Sequence, residues 1–203
     1  MEDENEPFHM VKIGCTLYSQ SQKSVSSNFF IELSEGTGAV LEYALYWHYD
    51  IQHLYDLEHV FIYLGRQGNI KDLISSFHGR FYRQNHVEFR EERPVLYIQP
   101  GKHAIMADPQ YFKLFVDFFD ACNKKAGKDG VLIPDFLSDR LSKTESDDSL
   151  TEQYIKERFS FAPAEKYRPA GDASGLLTDW PGLKDYIVSS VSKELKVIRG
   201  LSY

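Results

Sequence analysis

Two aromatic-rich runs in the first half of the chain constrain its fold more than any other feature. Residues 39–49 read AVLEYALYWHY, and residues 57–64 read LEHVFIYL and are followed by Gly65. Tyr and Phe, of which the 203 residues contain 13 and 14, favour the pleated and half-buried surface of a β-sheet. Both runs therefore predict strands.

Four shorter segments extend this β-rich pattern on either side of the two runs. They cover residues 10–18, 28–33, 69–82 and 95–98. Turn residues such as Ser34–Gly38 separate the segments at intervals that are typical of antiparallel sandwiches. We therefore expect an antiparallel β-sandwich over residues 10–107, with a polar loop at 19–27 and a short acidic tail at 1–9.

The second half of the chain has helical signals. Asp108 and Pro109 suit the first turn of a helix, and Gly127 suits its C-terminal cap. Between them, a stripe of residues at helical spacing comprises Phe112, Phe115, Phe119 and Cys122. We expect this stripe to pack into the core, as most apolar helical stripes do.

Residues 143–152 read KTESDDSLTE, and this polar segment is predicted to be a mobile loop. Further along the chain, a last helix is predicted to begin near Asp179. One face of the helix carries an apolar row that comprises Leu183, Ile187, Val191, Leu195 and Ile198. The expected class is therefore α+β. A single domain spans 1–203, with a sandwich core at 10–107 and a mainly helical portion at 108–203 that packs two or more helices against it.

Composition excludes several classes of protein. The net charge is −7 and there is no basic stripe, which argues against a nucleic-acid partner. No apolar stretch approaches 18 residues, so no transmembrane segment is expected. The first residues, Met1–Glu6, are acidic and unlike a signal peptide, which predicts a cytoplasmic protein. The two cysteines form no C-x-x-C motif and no disulfide framework, and nothing in the sequence indicates an oligomeric state.

Candidate chemistry is concentrated in residues 46–59, which hold three carboxylates and three imidazoles. Asp56 and Glu58 would point to one face of a strand, because strand side chains alternate. Two partly buried like charges must be protonated, paired with Lys or Arg, or neutralised by a cation. Because residues 36–64 contain no Lys or Arg, a divalent cation is the local solution with the fewest assumptions, and a solvated acidic loop is the alternative.

The donor types narrow the choice of ion. Mg²⁺, Ca²⁺ and Mn²⁺ prefer carboxylate oxygens, whereas Zn²⁺ also accepts a mixture with imidazole. Two histidines from distant segments, His78 beside Gly79 and His103 after Gly101, sit where the backbone can approach a ligand closely. They are the candidates for catalytic acid or base.

Four spaced motifs resemble those of the necrosis-inducing cytolysins of plant-pathogen origin and of the broader set of vacuolar-protein-sorting-sixty-two-like proteins. The resemblance covers residues 40–108. In order, the motifs are Tyr43-x-x-x-Trp47-x-x-Asp50, His53-x-x-Asp56-x-Glu58-His59-Val60, Phe77-His78-Gly79 and Arg93-Pro94-Val95-x-Tyr97-x-x-x-Gly101-x-His103-Ala104.

The resemblance implies a metal site. The cytolysins carry the heptapeptide G-H-R-H-D-W-E after an aromatic strand that ends in Asp, and these positions surround a divalent cation in a β-sandwich. Residues 52–58 here read QHLYDLE, so the first His, the Asp and the Glu match. The implied ligands are Asp50, His53, Asp56 and Glu58. The chain departs from the pattern at four positions of the heptapeptide, in a shorter connection from Asp50 to His53, and in its helical second half. Because the sequence has no secretion signal, we do not expect the cytolysins' toxicity to carry over.

Three functions remain open at this point. The ion would bind a small molecule, or a glycan or lipid head group, through a sugar or phosphate. Alternatively, it would activate water for hydrolysis of a phosphoester or ester, with His78 or His103 as acid or base. In the third alternative, the ion would only stabilise the fold.

Overall fold

The computed structural model describes residues 1–114 and 118–200. Its strands are, in chain order, β1 (Glu2–Asp3), β2 (Lys12–Tyr18), β3 (Gln22–Lys23), β4 (Phe30–Ile31), β5 (Thr37–Tyr49), β6 (His53–Gly65), β7 (Ile70–Phe77), β8 (Arg80–Arg83), β9 (Phe89–Arg90), β10 (Arg93–Pro94), β11 (Tyr97–Ile98), β12 (Ile105–Met106), β13 (Gly130–Val131), β14 (Tyr167–Arg168) and β15 (Leu177–Thr178).

Helical structure is confined to the second half of the described residues. The α-helices are α1 (Phe118–Ala121), α2 (Glu145–Phe159) and α3 (Trp180–Gly200). Single 3₁₀ segments cover Pro109–Leu114, Asp135–Leu137 and Ser174–Leu176. None of the helices among the described residues has the length and apolar character needed to cross a membrane.

One seven-stranded sheet organises the molecule. Six of its strands follow the order β15–β2–β5–β6–β7–β8, and the seventh, β13, pairs with β6 outside this order. Its central hairpin is β5 and β6, each 13 residues long, which are paired in register from Ala39 with Leu64 to Tyr49 with Leu54. Neighbouring strands from β2 to β8 are antiparallel, whereas β15 joins β2 in parallel.

The outer edge of β6 is split between two partners. Antiparallel β7 pairs with β6 from Val60 to Leu64, and parallel β13 pairs with the other end at His53 and Leu54. Because β5 occupies the opposite edge throughout, β7 and β13 share this one. The described strands therefore leave residues 55–59 without a partner on this edge, and the sheet opens there.

The two faces of the sheet are covered differently. On one face, α3 packs Leu183 and Ile187 into the same buried cluster as Ala44 and Tyr46. On the other face, the β11–β12 hairpin packs Ile105 against Val60 and other residues of the central strands. The α+β class is thus confirmed. A β-sandwich is not confirmed, because in the described residues the face opposite α3 is covered by short hairpins and not by a second extended sheet.

Most predicted strands and the last helix are confirmed. The strands expected at 10–18, 39–49 and 57–64 correspond to β2, β5 and β6, and β6 begins four residues earlier than the aromatic run. Helix α3 begins at Trp180. Its predicted apolar row is buried throughout, at Leu183, Ile187, Val191, Leu195 and Ile198.

Three local predictions are wrong. Residues 143–152 do not form a loop, because α2 begins at Glu145, where the Asp147 carboxylate accepts a hydrogen bond from the Thr144 N–H at 2.6 Å. Residues 1–9 are not an exposed tail, because Asp3, Glu6 and Phe8 are buried. The helix expected from Asp108 is a 3₁₀ segment followed by the short α1.

The aromatic stripe expected on that helix is only partly buried. Phe112 and Cys122 are buried, whereas Phe119 is exposed, and Phe115 lies outside the described residues. Gly127 follows α1 by several residues and caps no helix. Its positive φ of 75° instead allows the chain to turn against the backbone of α2.

Candidate metal centre

Three of the four candidate ligands come together at the turn that joins β5 and β6. Asp50 directly follows β5, and its carboxylate accepts a hydrogen bond from the Gln52 N–H at 2.6 Å. His53 begins β6, and its carbonyl accepts a hydrogen bond from the Asp50 N–H at 3.0 Å. This tight turn brings Asp50, which follows β5, beside His53, the first residue of β6.

Asp50, His53 and Asp56 each offer one ligand atom, and these atoms all lie within 4.8 Å of one another. Within this group, His53 Nε2 lies 3.7 Å from Asp50 Oδ2. Two atoms bound to one divalent ion at its usual ligand distances are at most about 5 Å apart. The spacing of the three side chains is therefore compatible with a single ion.

Glu58 is near this group but outside it. Its carboxylate accepts a hydrogen bond from the hydroxyl of Ser76, which also receives the His59 backbone N–H at 2.6 Å. Burial, followed by the charge of Asp56, raises the pKa of Glu58 to about 8. Glu58, the predicted fourth ligand, is thus hydrogen-bonded to a serine of β7 and is not part of the group formed by the other three side chains.

Two cations from the loop between β11 and β12 face the three candidate ligands Asp50, His53 and Asp56, which we call the acidic group. Lys102 Nζ lies 2.8 and 2.7 Å from the two oxygens of Asp50, and His103 Nδ1 lies 3.0 Å from Asp56. Burial lowers the pKa of Lys102, but Asp50 outweighs it and the net shift is upward. The absence of Lys and Arg from residues 36–64 therefore did not leave Asp50 without a counter-ion.

His103, the second predicted acid or base, is held away from the cavity. The ring is wholly buried, is stacked on Trp47 at 4.4 Å between centroids, and is not among the described residues that line the cavity. Its other nitrogen faces Glu6 at 3.7 Å. Burial lowers the pKa of His103, but the hydrogen bond to Asp56 and the nearby Glu6 carboxylate raise it to about 10. His103 is therefore a positioning residue for Asp56.

His78 does line the cavity with the acidic group. It occupies the turn between β7 and β8, and partial desolvation lowers its pKa. A neutral imidazole at this place can accept a proton, so the predicted acid or base role of His78 stays open.

Strained backbone surrounds the site. Tyr55, His78 and His103 all have positive φ, at 54°, 50° and 54°. Such conformations cost about 1–3 kcal/mol each in residues with a Cβ and are concentrated at functional sites. In β6 the strained residue, Tyr55, lies between the candidate ligands His53 and Asp56, in the part of the strand that has no outer partner among the described strands.

A cavity of about 510 Å³ opens at this split in the sheet. One wall carries the acidic group and Lys102, and a second carries Ser26–Asn28 with His59. The third wall is apolar and consists of Leu132–Pro134 and Phe136, which follow β13. Polar groups that converge in a partly apolar cavity are typical of a ligand site.

Sequence reasoning missed Lys102, Glu6, Ser76 and the wall formed by His59. Lys102 and His103 are adjacent in the sequence, but the sequence did not show that the turn before them returns to β5 and β6. The signal available for the others was weaker still, because Ser and Glu are common on surfaces.

Scans against family models, curated proteins and solved structures each found no match to this chain.

Proposed function

We propose that the protein binds a divalent cation at Asp50, His53 and Asp56 and uses the open positions of that ion to recognise a sugar or phosphate head group. The observation that carries the proposal is the convergence of the three ligand atoms within 4.8 Å at the wall of a cavity. The resemblance of residues 40–108 to the cytolysins and their relatives supports the same ligand positions, with Glu58 as a fourth.

The charge balance of the site supports a cation. Among the described residues, the carboxylates of Asp50, Asp56 and Glu6 face two positive groups, Lys102 and His103, in addition to the candidate ligand His53, which would bind a metal ion in its neutral form. A divalent ion would stabilise the remaining negative charge and would also favour ionisation of Glu58. Two carboxylates and one imidazole favour Mg²⁺, Ca²⁺ or Mn²⁺, and also suit Zn²⁺.

Calorimetry on chelator-treated protein tests the proposal. We expect Mn²⁺, Ca²⁺ or Zn²⁺ to bind with a stoichiometry of about one per chain, and Asp56→Asn to weaken binding at least tenfold because it removes a charged ligand. Asp185→Asn is the matched control, since Asp185 is an exposed carboxylate that pairs only with Arg140 in the described structure. Equal binding by the Asp56 variant and the parent protein would contradict the proposal.

A metal-dependent hydrolase is the second candidate, and the position of His78 in the cavity favours it. A bound divalent cation lowers the pKa of a coordinated water. His78 would then accept a proton from that water. Turnover of p-nitrophenyl phosphate or acetate by the metal-loaded protein, reduced by His78→Asn, distinguishes this function from binding alone.

A further inference from the structure

The cavity has a polar wall that the metal hypothesis does not use. This wall is formed by His59 of β6 and by Ser26–Asn28, which lie between β3 and β4. In β6, His59 alternates with Glu58 and therefore points to the opposite face of the sheet. The cavity reaches both residues because the sheet is open at this edge.

His59 is a buried polar side chain with an unused hydrogen-bonding atom. Its exposed fraction is 5%, and its Nε2 has no hydrogen-bond partner among the described residues. A buried polar atom without a partner costs about 1–3 kcal/mol, so such atoms in a cavity wall indicate a ligand or an ordered water.

The ring of His59 is held in place by its neighbours. It lies almost parallel to Phe61, with an interplanar angle of 10°, and meets the edge of Phe81 at a centroid distance of 6.3 Å. The His59 backbone N–H donates to Ser76, whose hydroxyl in turn donates to Glu58. The imidazole is thus fixed, before any ligand arrives, relative to the acidic group and its proposed cation, which together we call the metal group.

The charge of this wall selects the type of ligand. Lys102 is the only lysine or arginine among the described residues that line the cavity, and both oxygens of Asp50 already contact it. Beside His59 the cavity-lining side chains are serine, asparagine and phenylalanine, and the buried carboxylate of Glu42, which accepts the Ser26 hydroxyl, lies behind them and would repel an anion. Neutral hydroxyl groups suit such a wall, whereas a phosphate would find no second cation there.

We propose that His59 is a specificity-determining residue whose Nε2 hydrogen-bonds a hydroxyl of a neutral polyol, while another hydroxyl of the same ligand binds at the metal group on the opposite face of the sheet edge. This inference rests on the proposed function, because it needs the metal group for the first contact. It goes further in selecting a neutral polyol over a phosphate and in assigning the second contact.

The test uses protein loaded with diamagnetic Ca²⁺ or Zn²⁺ and ¹⁵N-labelled at histidine. The probes are methyl α-D-glucopyranoside, myo-inositol and inorganic phosphate, with binding followed by saturation-transfer NMR. We expect the polyols to bind and to shift the Nε2 resonance of His59. We expect His59→Leu to weaken polyol binding about tenfold, the loss of one hydrogen bond, while metal affinity stays unchanged.

Two further variants keep the test independent of folding defects. His59→Gln retains a polar atom near the Nε2 position and should recover part of the affinity. His48→Gln is the matched control, because the Nε2 of His48 is also buried without a partner, but His48 is not among the described residues that line the cavity. Thermal melts report the folding of each variant.

The inference is overturned if the metal-loaded protein binds phosphate but neither polyol, if it binds no probe, or if His59→Leu binds the polyols as tightly as the parent protein. A Nε2 resonance that the polyols leave unchanged also overturns it, and would show that ordered water satisfies this atom. Loss of metal binding by the parent protein would instead overturn the proposed function, so the two failures are distinguishable.

Discussion

At the scale of single residues, Lys102 changes how the acidic group must be understood. Its ammonium contacts both oxygens of Asp50, and its side chain is only 11% exposed. The proposed binding of a cation at Asp50 would therefore be an exchange in which one positive charge competes with another. The ion must offset this competition in addition to losing its own water.

Substitution of Lys102 by Met tests this exchange. Without the ion, the variant should lose about 3 kcal/mol of stability, because a buried carboxylate would lose its partner. With the competitor removed, Ca²⁺ or Mn²⁺ should bind about tenfold more tightly and should recover the lost stability. Melting temperatures with and without the ion, together with calorimetry, measure both effects.

The matched control for Lys102 is Lys124→Met, since Lys124 is 80% exposed and pairs with Asp120 at the surface. We expect little effect on either quantity there. Weaker ion binding by Lys102→Met would contradict the exchange and would show that Lys102 helps to organise Asp50.

Residue patterns predicted some of the site but not its surroundings. Asp50, His53 and Asp56 could be found because they lie within seven consecutive residues beside a predicted strand. Lys102, which contacts Asp50, and Glu6, which faces His103, are distant in sequence, and nothing in their local context indicates a contact. The sequence pattern therefore grouped the candidate ligands but did not predict their counter-ions.

At the scale of secondary-structure elements, α2 shows why a helix can escape prediction. Its buried residues include Asp147 and Thr151 beside Tyr154 and Ile155, so half of its buried face is polar. Asp147 accepts two hydrogen bonds from Arg199 of α3, at 2.7 and 2.6 Å. A polar contact with another helix thus replaces the apolar periodicity on which prediction depends.

This contact makes stability depend on pH. The hydrogen bonds from Arg199 are the main reason that the pKa of Asp147 falls to about 2. Because the folded pKa lies below the unfolded one, the stabilisation is present above about pH 4 and is lost as the pH falls towards 2. Asp147→Asn should cost about 1–2 kcal/mol at pH 7, allowing for the partial exposure of Arg199, and much less near pH 2.

Urea unfolding of the parent protein and Asp147→Asn across this pH range measures the difference. Asp185→Asn, which breaks an exposed pair with Arg140, should cost less than about 1 kcal/mol at every pH. A cost for Asp147→Asn that stays constant on acidification would contradict the assignment to Arg199.

At the scale of the whole molecule, the segment between α1 and β13 connects α2 to the turn that carries the candidate ligand Asp50. Gly127 donates its N–H to the Ile51 carbonyl at 2.8 Å, and Asp129 donates to the Gln52 carbonyl at 2.9 Å. These bonds hold the turn that carries Asp50. A Cβ on Gly127 would lie 2.4 Å from the Glu152 carbonyl oxygen, so α2 also fixes the segment from behind.

Gly127→Ala should therefore affect both stability and ion binding. The positive φ and the overlap with backbone together should cost about 3 kcal/mol, and displacement of the turn should weaken ion binding. Gly171→Ala is the matched control, because Gly171 has a φ of 81° but no heavy atom near its Cβ position, and we expect a cost of about 1 kcal/mol. Urea unfolding and calorimetry compare the two, and equal costs would contradict the role of the α2 contact.

The connectivity around the site also bears on the order in which it assembles. Asp50, His53 and Asp56 belong to a single hairpin, so closing the chain around them costs little entropy, whereas Lys102 must return across 52 residues. During refolding, the hairpin can present its oxygen and nitrogen donors before the ammonium arrives. A cation present from the start would then meet Asp50 without a rival, and its capture would be faster in the nascent fold than in the finished one.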